Sequence, residues 1–179
     1  ACTEDLSRQR FNEISFEERR LEIVRCHETI QEVLGVVPQG FRSPHFGSLH
    51  VEDIYGVLAE CGYSYSSSVT TAVRGGSPYR LANGIWEVPV SPCPQHPFGV
   101  LDSWHSLAKH GASHTAAGEL SDLFSHLLRE VGHGGGLANV YFDPKDVFES
   151  GEMERMLGIL VDSGVERGSY RDLVDRCVN

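Results

Sequence analysis

Apolar residues in the first third of the chain alternate between the spacing of a helix and that of a strand. Ser15 and Glu18 form a capping box that predicts the start of a helix, and Gly35 predicts its end. The residues expected on the buried face of this helix are Ile23, Cys26, Ile30 and Val33. The elements predicted to follow are a strand at Phe41, a helix over 51–61 and a strand over 63–67.

The same alternation continues to the end of the chain. The predicted elements are a strand over 85–90, a helix over 118–131, a strand over 137–142, and helices over 152–163 and 170–177. The predicted loops cover 70–78, 94–117 and 132–136. Strands that alternate with helices indicate an α/β fold with a mostly parallel sheet. A length of 179 residues suffices for one domain with a real core, and a single domain over residues 1–179 is predicted.

Polar side chains follow several predicted strands at the point where each strand ends. In an α/β fold such residues line a shared site at the carboxyl edge of the sheet. The residues in this position are Arg42, His45, Ser66 to Ser68, Ser91 and Asp143. The sequence therefore places its candidate chemistry at this edge.

Charge and hydropathy exclude some classes of function. The net charge of −10 argues against nucleic acid or an anionic membrane surface as the main partner, because both are bound by basic patches. No apolar run reaches the 18 residues of a membrane span. The five cysteines contain no Cys-x-x-Cys pair and are predicted to be free thiols, with Cys26 and Cys61 acting as small core residues.

Three segments together resemble one known family. Residues 40–45 read Gly-Phe-Arg-Ser-Pro-His, residues 58–68 contain Cys-Gly-Tyr-Ser-Tyr-Ser-Ser-Ser, and residues 140–146 read Val-Tyr-Phe-Asp-Pro-Lys-Asp. Their order and spacing resemble the polysaccharide deacetylases, also known as the NodB-homology domain or carbohydrate esterase family 4. The resemblance covers nearly the whole chain.

The resemblance implies a fold and a reaction. The family folds as a distorted (β/α) barrel and hydrolyses acyl bonds, or carbon–nitrogen bonds other than peptide bonds, of carbohydrates with one divalent metal such as zinc. It implies that Arg42 orients the catalytic base and that the backbone N–H of His45 binds the oxyanion. Asp143 stands where the family has its general acid, a histidine. The implied partner is a carbohydrate or another small acylated substrate.

The chain also departs from the family. The resemblance places an Asp-Asp motif, which carries the base and a metal ligand, upstream of Ala1, and a His-x-x-x-His pair just before Phe11. The matching positions hold Glu4 and Arg8, and an arginine cannot ligate a metal. We therefore expect a barrel without its first strand or strands, with no metal site in this chain, and inactive as given. Its exposed strand edges would favour a homo-oligomer.

Two other interpretations stay open. One is a non-catalytic barrel that binds a glycan or a protein partner. The other is an amidohydrolase-like enzyme with a relocated metal site, for which the candidate cluster is His45, His105 and Asp143.

The substrate-binding candidates are Trp104, His105 and Ser66. Three of the site residues also have a structural interpretation: Trp104 as a loop anchor, His105 as a histidine bonded to the backbone, and Arg42 in an ion pair such as one with Asp143.

Overall fold

A computed structural model describes residues 10–44, 46–47, 49–71, 76–95, 99–103 and 118–178. The helices are α1 (Phe16–Leu34), α2 (Ile54–Glu60), α3 (Glu119–Gly134), α4 (Pro144–Glu149), α5 (Glu152–Asp162) and α6 (Tyr170–Val178). The strands are β1 (Gly40–Phe41), β2 (Tyr65–Ser66), β3 (Tyr79–Arg80) and β4 (Trp86–Glu87).

The four strands form one sheet in the order β1-β2-β4-β3. β1 pairs parallel with β2, β2 pairs parallel with β4, and only β3 runs antiparallel to its neighbour. The predicted α/β class with a mostly parallel sheet is therefore confirmed. Within the described residues the sheet is open, and no closed barrel is detected.

The chain divides into two compact units, each with its own core. The first comprises Ala1–Val69, Pro78–Val88 and Gly168–Asn179, and the second comprises Thr70–Ser77 and Pro89–Arg167. The first core is built from Ile23, Ile54, Tyr55, Val57, Leu58, Tyr63 and Ile85. The second is built around Leu101, Leu120, Leu127, Val147 and Met156. The single domain expected over residues 1–179 stays a prediction.

Helix α1 has the predicted ends, but of the four residues predicted on its buried face only Ile23 is buried. The capping box is present, with the Glu18 amide donating to Ser15 Oγ at 3.3 Å, and Gly35 ends the helix in the left-handed conformation at φ 65°. The buried positions are Arg19, Ile23 and His27, whereas Cys26 is exposed and Val33 is 70% exposed. Arg19 can be buried because its guanidinium bonds to Asp53 at 2.5 Å and to the carbonyl of Ile14.

Other elements differ from the predictions at their ends. α2 begins at Ile54 and not at residue 51, and α3 continues to Gly134, through part of the predicted loop. α4 was not predicted, because Asp143-Pro144 was interpreted only as the end of a strand, although Pro is favoured in the first turn of a helix. The predicted strand over 137–142 is represented by one parallel bridge between Asp102 and Tyr141.

Two general expectations can be compared with the described part of the chain. None of its helices combines the length and the apolar character that crossing a membrane requires. Cys26, Cys61, Cys93 and Cys177 are free thiols, with Cys93 buried and Cys61 half-buried.

Candidate functional site

The ends of β1 and β2 bring Arg42 against Ser67. Phe41 pairs with Ser66 in the parallel register, so the next residue of each strand lies at the same edge. The Ser67 amide donates to the Phe41 carbonyl at 2.9 Å. In return, Arg42 Nε donates to the Ser67 carbonyl at 2.9 Å and Arg42 Nη2 donates to Ser67 Oγ at 2.7 Å. The guanidinium is thus fixed at the carboxyl edge of two parallel strands.

Two aromatic residues contact this guanidinium, and a third lies behind them. Arg42 Nη2 also donates to the Tyr170 hydroxyl at 2.6 Å, and the Arg42 Cζ atom lies 5.2 Å from the centroid of the Phe46 ring. Tyr170 stacks on Tyr65 with centroids 5.3 Å apart and an interplanar angle of 15°. The Tyr65 ring in turn lies against Gly40, where a Cβ would stand 2.0 Å from Tyr65 Cε2. We call Arg42, Phe46, Tyr65, Ser67 and Tyr170 the Arg42 cluster.

A row of serines joins the same two strand ends beneath the surface. The Ser43 amide donates to Ser68 Oγ at 2.9 Å, and Ser66 Oγ donates to Ser68 Oγ at the same distance. Ser66 is fully buried. Its role in this conformation is to hold Ser68, and the substrate contact predicted for Ser66 stays a prediction.

Glu87 at the end of β4 is a buried carboxylate that the sequence analysis did not single out. It accepts hydrogen bonds from the Tyr55 hydroxyl at 2.8 Å and from the Ser68 and Val69 amides at 2.7 and 2.9 Å. Three donors offset the cost of burying a carboxylate. The signal in the sequence was an acidic residue inside the apolar run 85–90. A charged side chain in a strand that is predicted to be buried requires hydrogen-bond donors around it.

His50 and Ser43 form a second contact that sequence reasoning missed. His50 Nδ1 lies 2.9 Å from Ser43 Oγ, and its ring packs edge-on against Tyr55 with centroids 5.1 Å apart. Burial lowers the pKa of His50, although the nearby carboxylates of Glu87, Glu52 and Asp53 oppose the shift. A neutral imidazole beside a hydroxyl is the geometry of a base and a nucleophile. Ser43 is only 2% exposed, however, so in this conformation its hydroxyl is closed off from solvent.

Asp143 has a structural contact in the second unit. Its carboxylate caps α4 by accepting from the Lys145 amide at 2.9 Å, and its own amide donates to Ser103 Oγ at 2.7 Å. Arg42 belongs to the first unit, and the suggested ion pair between the two residues stays a prediction. The other predicted site residues, His45, Trp104 and His105, lie outside the described residues.

The described residues do not fit a metal ion. No three His, Cys, Asp or Glu side chains within the described ranges are grouped so that they could hold one. Two members of the relocated cluster, His45 and His105, fall outside those ranges. We therefore derive no chemical step through a metal.

Comparison with known proteins does not assign the chain to a family. No protein-family model matches the chain, and no curated protein matches it significantly. The resemblance to polysaccharide deacetylases therefore depends on the motifs of this sequence.

Proposed function

We propose that the chain is a polysaccharide-deacetylase-like domain whose ligand is an acylated carbohydrate, and whose inherited reaction is hydrolysis of the acyl or carbon–nitrogen bond. In this proposal the sheet belongs to a distorted (β/α) barrel. The chain as given binds the carbohydrate and does not turn it over, since the positions that match the family's His-x-x-x-His pair hold Glu4 and Arg8.

The observation that carries this proposal is the fixation of Arg42. A guanidinium presents its donors in a rigid plane, and here that plane is set by the carbonyl and the hydroxyl of Ser67 at 2.9 and 2.7 Å. An arginine that only neutralised surface charge would not need this bracing. The position supports the positioning role that the Arg-x-Pro resemblance implies.

The parallel strands supply a second line of support. Ligands of α/β folds bind outside the carboxyl ends of the strands, and Arg42 and Ser67 lie at that edge of β1 and β2. Phe46 and Tyr65 add aromatic surface, which suits the apolar face of a sugar ring.

The proposal is tested by measuring binding and turnover on the same sample. Calorimetric titration with N-acetylated chito-oligosaccharides is expected to show saturable binding, and an acetate-release assay is expected to show none. Arg42→Lys keeps the charge but loses the planar fork, so we expect affinity to fall at least tenfold, while Arg25→Lys on the exposed face of α1 changes it less than twofold. No binding by the unmodified chain would overturn the proposed ligand class.

The two interpretations of the domain predict different outcomes in this titration. A domain built for acyl chemistry should prefer the acetylated oligosaccharide over its deacetylated counterpart, because the acyl group is the part recognised at the reacting centre. A glycan-binding module that is unrelated to the deacetylases should bind the acetylated and the deacetylated oligosaccharide equally well. Acetate release by the chain would overturn the expectation that it is inactive.

A further inference from the structure

The last helix of the chain belongs to the first unit and carries Tyr170 onto Arg42. Residues 168–178, which we call the C-terminal strap, follow the second unit in sequence but pack within the first. The Tyr170 hydroxyl accepts a hydrogen bond from Arg42 Nη2 at 2.6 Å, and its ring stacks on Tyr65. A residue 128 positions away in sequence thus covers one donor of the guanidinium.

The strap is a preformed helix with little buried surface. Ser169 and Asp172 cap its start, with the Ser169 amide donating to Asp172 Oδ2 at 2.8 Å and the Asp172 amide donating to Ser169 Oγ at 3.2 Å. Val174 is its one residue classed as buried among those whose side chains are described, and Tyr170 and Leu173 are half-buried. Elements with few buried apolar contacts open at low free energy, so the strap can leave without unfolding the core around Ile54 and Leu58.

We propose that the C-terminal strap is a displaceable cover on Arg42, and that a ligand reaches the guanidinium only when Tyr170 leaves. The identity of that ligand rests on the proposed function, but the cover itself does not. A phenol is a neutral acceptor, whereas a guanidinium binds a carboxylate through stronger, charge-assisted hydrogen bonds. A carboxylate, or an acyl oxygen supported by further contacts, can therefore take the place of the Tyr170 hydroxyl.

Arginine-directed modification tests the cover without any carbohydrate. The full chain is treated with phenylglyoxal, and the rate at Arg42 is followed by peptide mass spectrometry. Tyr170→Ala is expected to raise the rate of phenylglyoxal modification at Arg42 at least tenfold. Tyr170→Phe keeps the ring stack but loses the acceptor, so a smaller rise of about threefold is expected. Cys177→Ala, an exposed position on the same helix, is the matched control and should stay within twofold.

Arg19 provides the internal reference, because it is buried in the same unit and paired with Asp53. The rate at which phenylglyoxal modifies Arg19 should not change in any of these variants. An unchanged Arg42 rate in Tyr170→Ala would overturn the proposal. So would a rise at Arg19 equal to the rise at Arg42, because the helix would then be part of the core and not a cover.

Titration of the same variants with the acetylated oligosaccharide separates the cover from the proposed function. If both are right, Tyr170→Phe binds the oligosaccharide at least threefold more tightly than the unmodified chain. If the Arg42 rate rises but no variant binds the oligosaccharide, the cover is confirmed and the proposed ligand is wrong. If binding occurs and the Arg42 rate stays constant, the cover is wrong and the proposed function stands.

Discussion

The Tyr55 hydroxyl donates to Oε2 of Glu87 at 2.8 Å, and both side chains are buried. Burial, together with the charge of Glu87, raises the pKa of Tyr55, so the phenol stays protonated and keeps donating. The other oxygen of Glu87 accepts from the Ser68 and Val69 amides. One carboxylate therefore ties α2 to the segment that follows β2.

Replacing Glu87 should cost more than the loss of a single hydrogen bond. Glu87→Leu leaves two buried donors and one half-buried donor without their acceptor, and we expect the free energy of unfolding to fall by about 3 kcal/mol. Glu87→Gln keeps one acceptor oxygen and should cost about half as much. Urea unfolding followed by circular dichroism gives both values. Glu60→Gln, at an exposed ion pair with Arg20, is the control and should change stability by less than ~0.5 kcal/mol.

His50 should make the stability of the first unit depend on pH near neutrality. Its pKa is lowered by burial, so the folded state holds the proton less tightly than the unfolded state. Stability is then complete above the ordinary histidine value of ~6.5 and declines as the pH falls through it towards the lower folded value. His50→Gln should remove this part of the decline, which for one site cannot exceed about 1.4 kcal/mol per pH unit. Equal slopes for both proteins between pH 7 and pH 5.5 would contradict this.

Sequence reasoning worked where the physical cause is local. The capping box of Ser15 and Glu18 and the left-handed Gly35 each depend on a few neighbouring residues, and both ends of α1 were predicted from them. The adjacency of Arg42 and the serines after β2 followed from a general rule, because parallel strands end at the same edge of a sheet.

It failed where the cause is a distant partner. Arg19 is buried because Asp53, 34 residues away, accepts its hydrogen bond, and an apolar stripe cannot reveal that. Tyr170 is 128 residues from Arg42, and nothing in its surrounding sequence indicates the contact. The catalytic role considered for Asp143 stays a prediction, and in this structure its carboxylate caps α4.

A side chain at position 40 should be excluded by Tyr65. A Cβ there would lie 2.0 Å from Tyr65 Cε2, so Gly40→Ala must displace the ring, and we expect a loss of about 2 kcal/mol. Because the conflict is with one side chain, the Gly40→Ala change should cost less than half as much in a Tyr65→Ala background. Gly56→Ala in α2 meets nothing within 4 Å and should stabilise the protein by up to ~1 kcal/mol. Thermal unfolding of the four variants measures each effect.

Glu152 should be essential for the start of α3. Its carboxylate accepts from the amides of Gly118 at 2.7 Å and Ser121 at 2.9 Å, and it is 1% exposed. Burial alone would raise the pKa of Glu152, but the hydrogen bonds from Ser121 and Gly118 and the charge of Arg155 lower it below the ordinary 4.5. Its contribution is therefore present above pH 4.5 and lost as the pH falls below it.

Glu152→Ala is expected to reduce the free energy of unfolding at pH 7 by about 2 kcal/mol, because the buried Ser121 amide and the half-buried Gly118 amide lose their acceptor. Glu154→Ala, exposed on the same helix, should change it by less than ~0.5 kcal/mol. The difference in the free energy of unfolding between the two variants should decrease as the pH falls from 5 to 3, because Glu152 is then protonated in Glu154→Ala. A gap that stayed constant would show that the carboxylate charge has no part in the cap.

Asp143 offers the sharpest distinction between a cap and a catalytic acid. As an N-cap it needs only an oxygen acceptor for the Lys145 amide, which asparagine also provides. Asp143→Asn should therefore leave stability within ~0.5 kcal/mol, whereas Asp143→Ala should cost about 1 kcal/mol. Glu149→Gln, exposed at the far end of α4, is the control. If Asp143 affects binding only by capping α4, Asp143→Asn should leave the oligosaccharide affinity nearly unchanged and Asp143→Ala should lower it more. A large loss of affinity in Asp143→Asn at unchanged stability would mean that the charge of Asp143 meets the ligand.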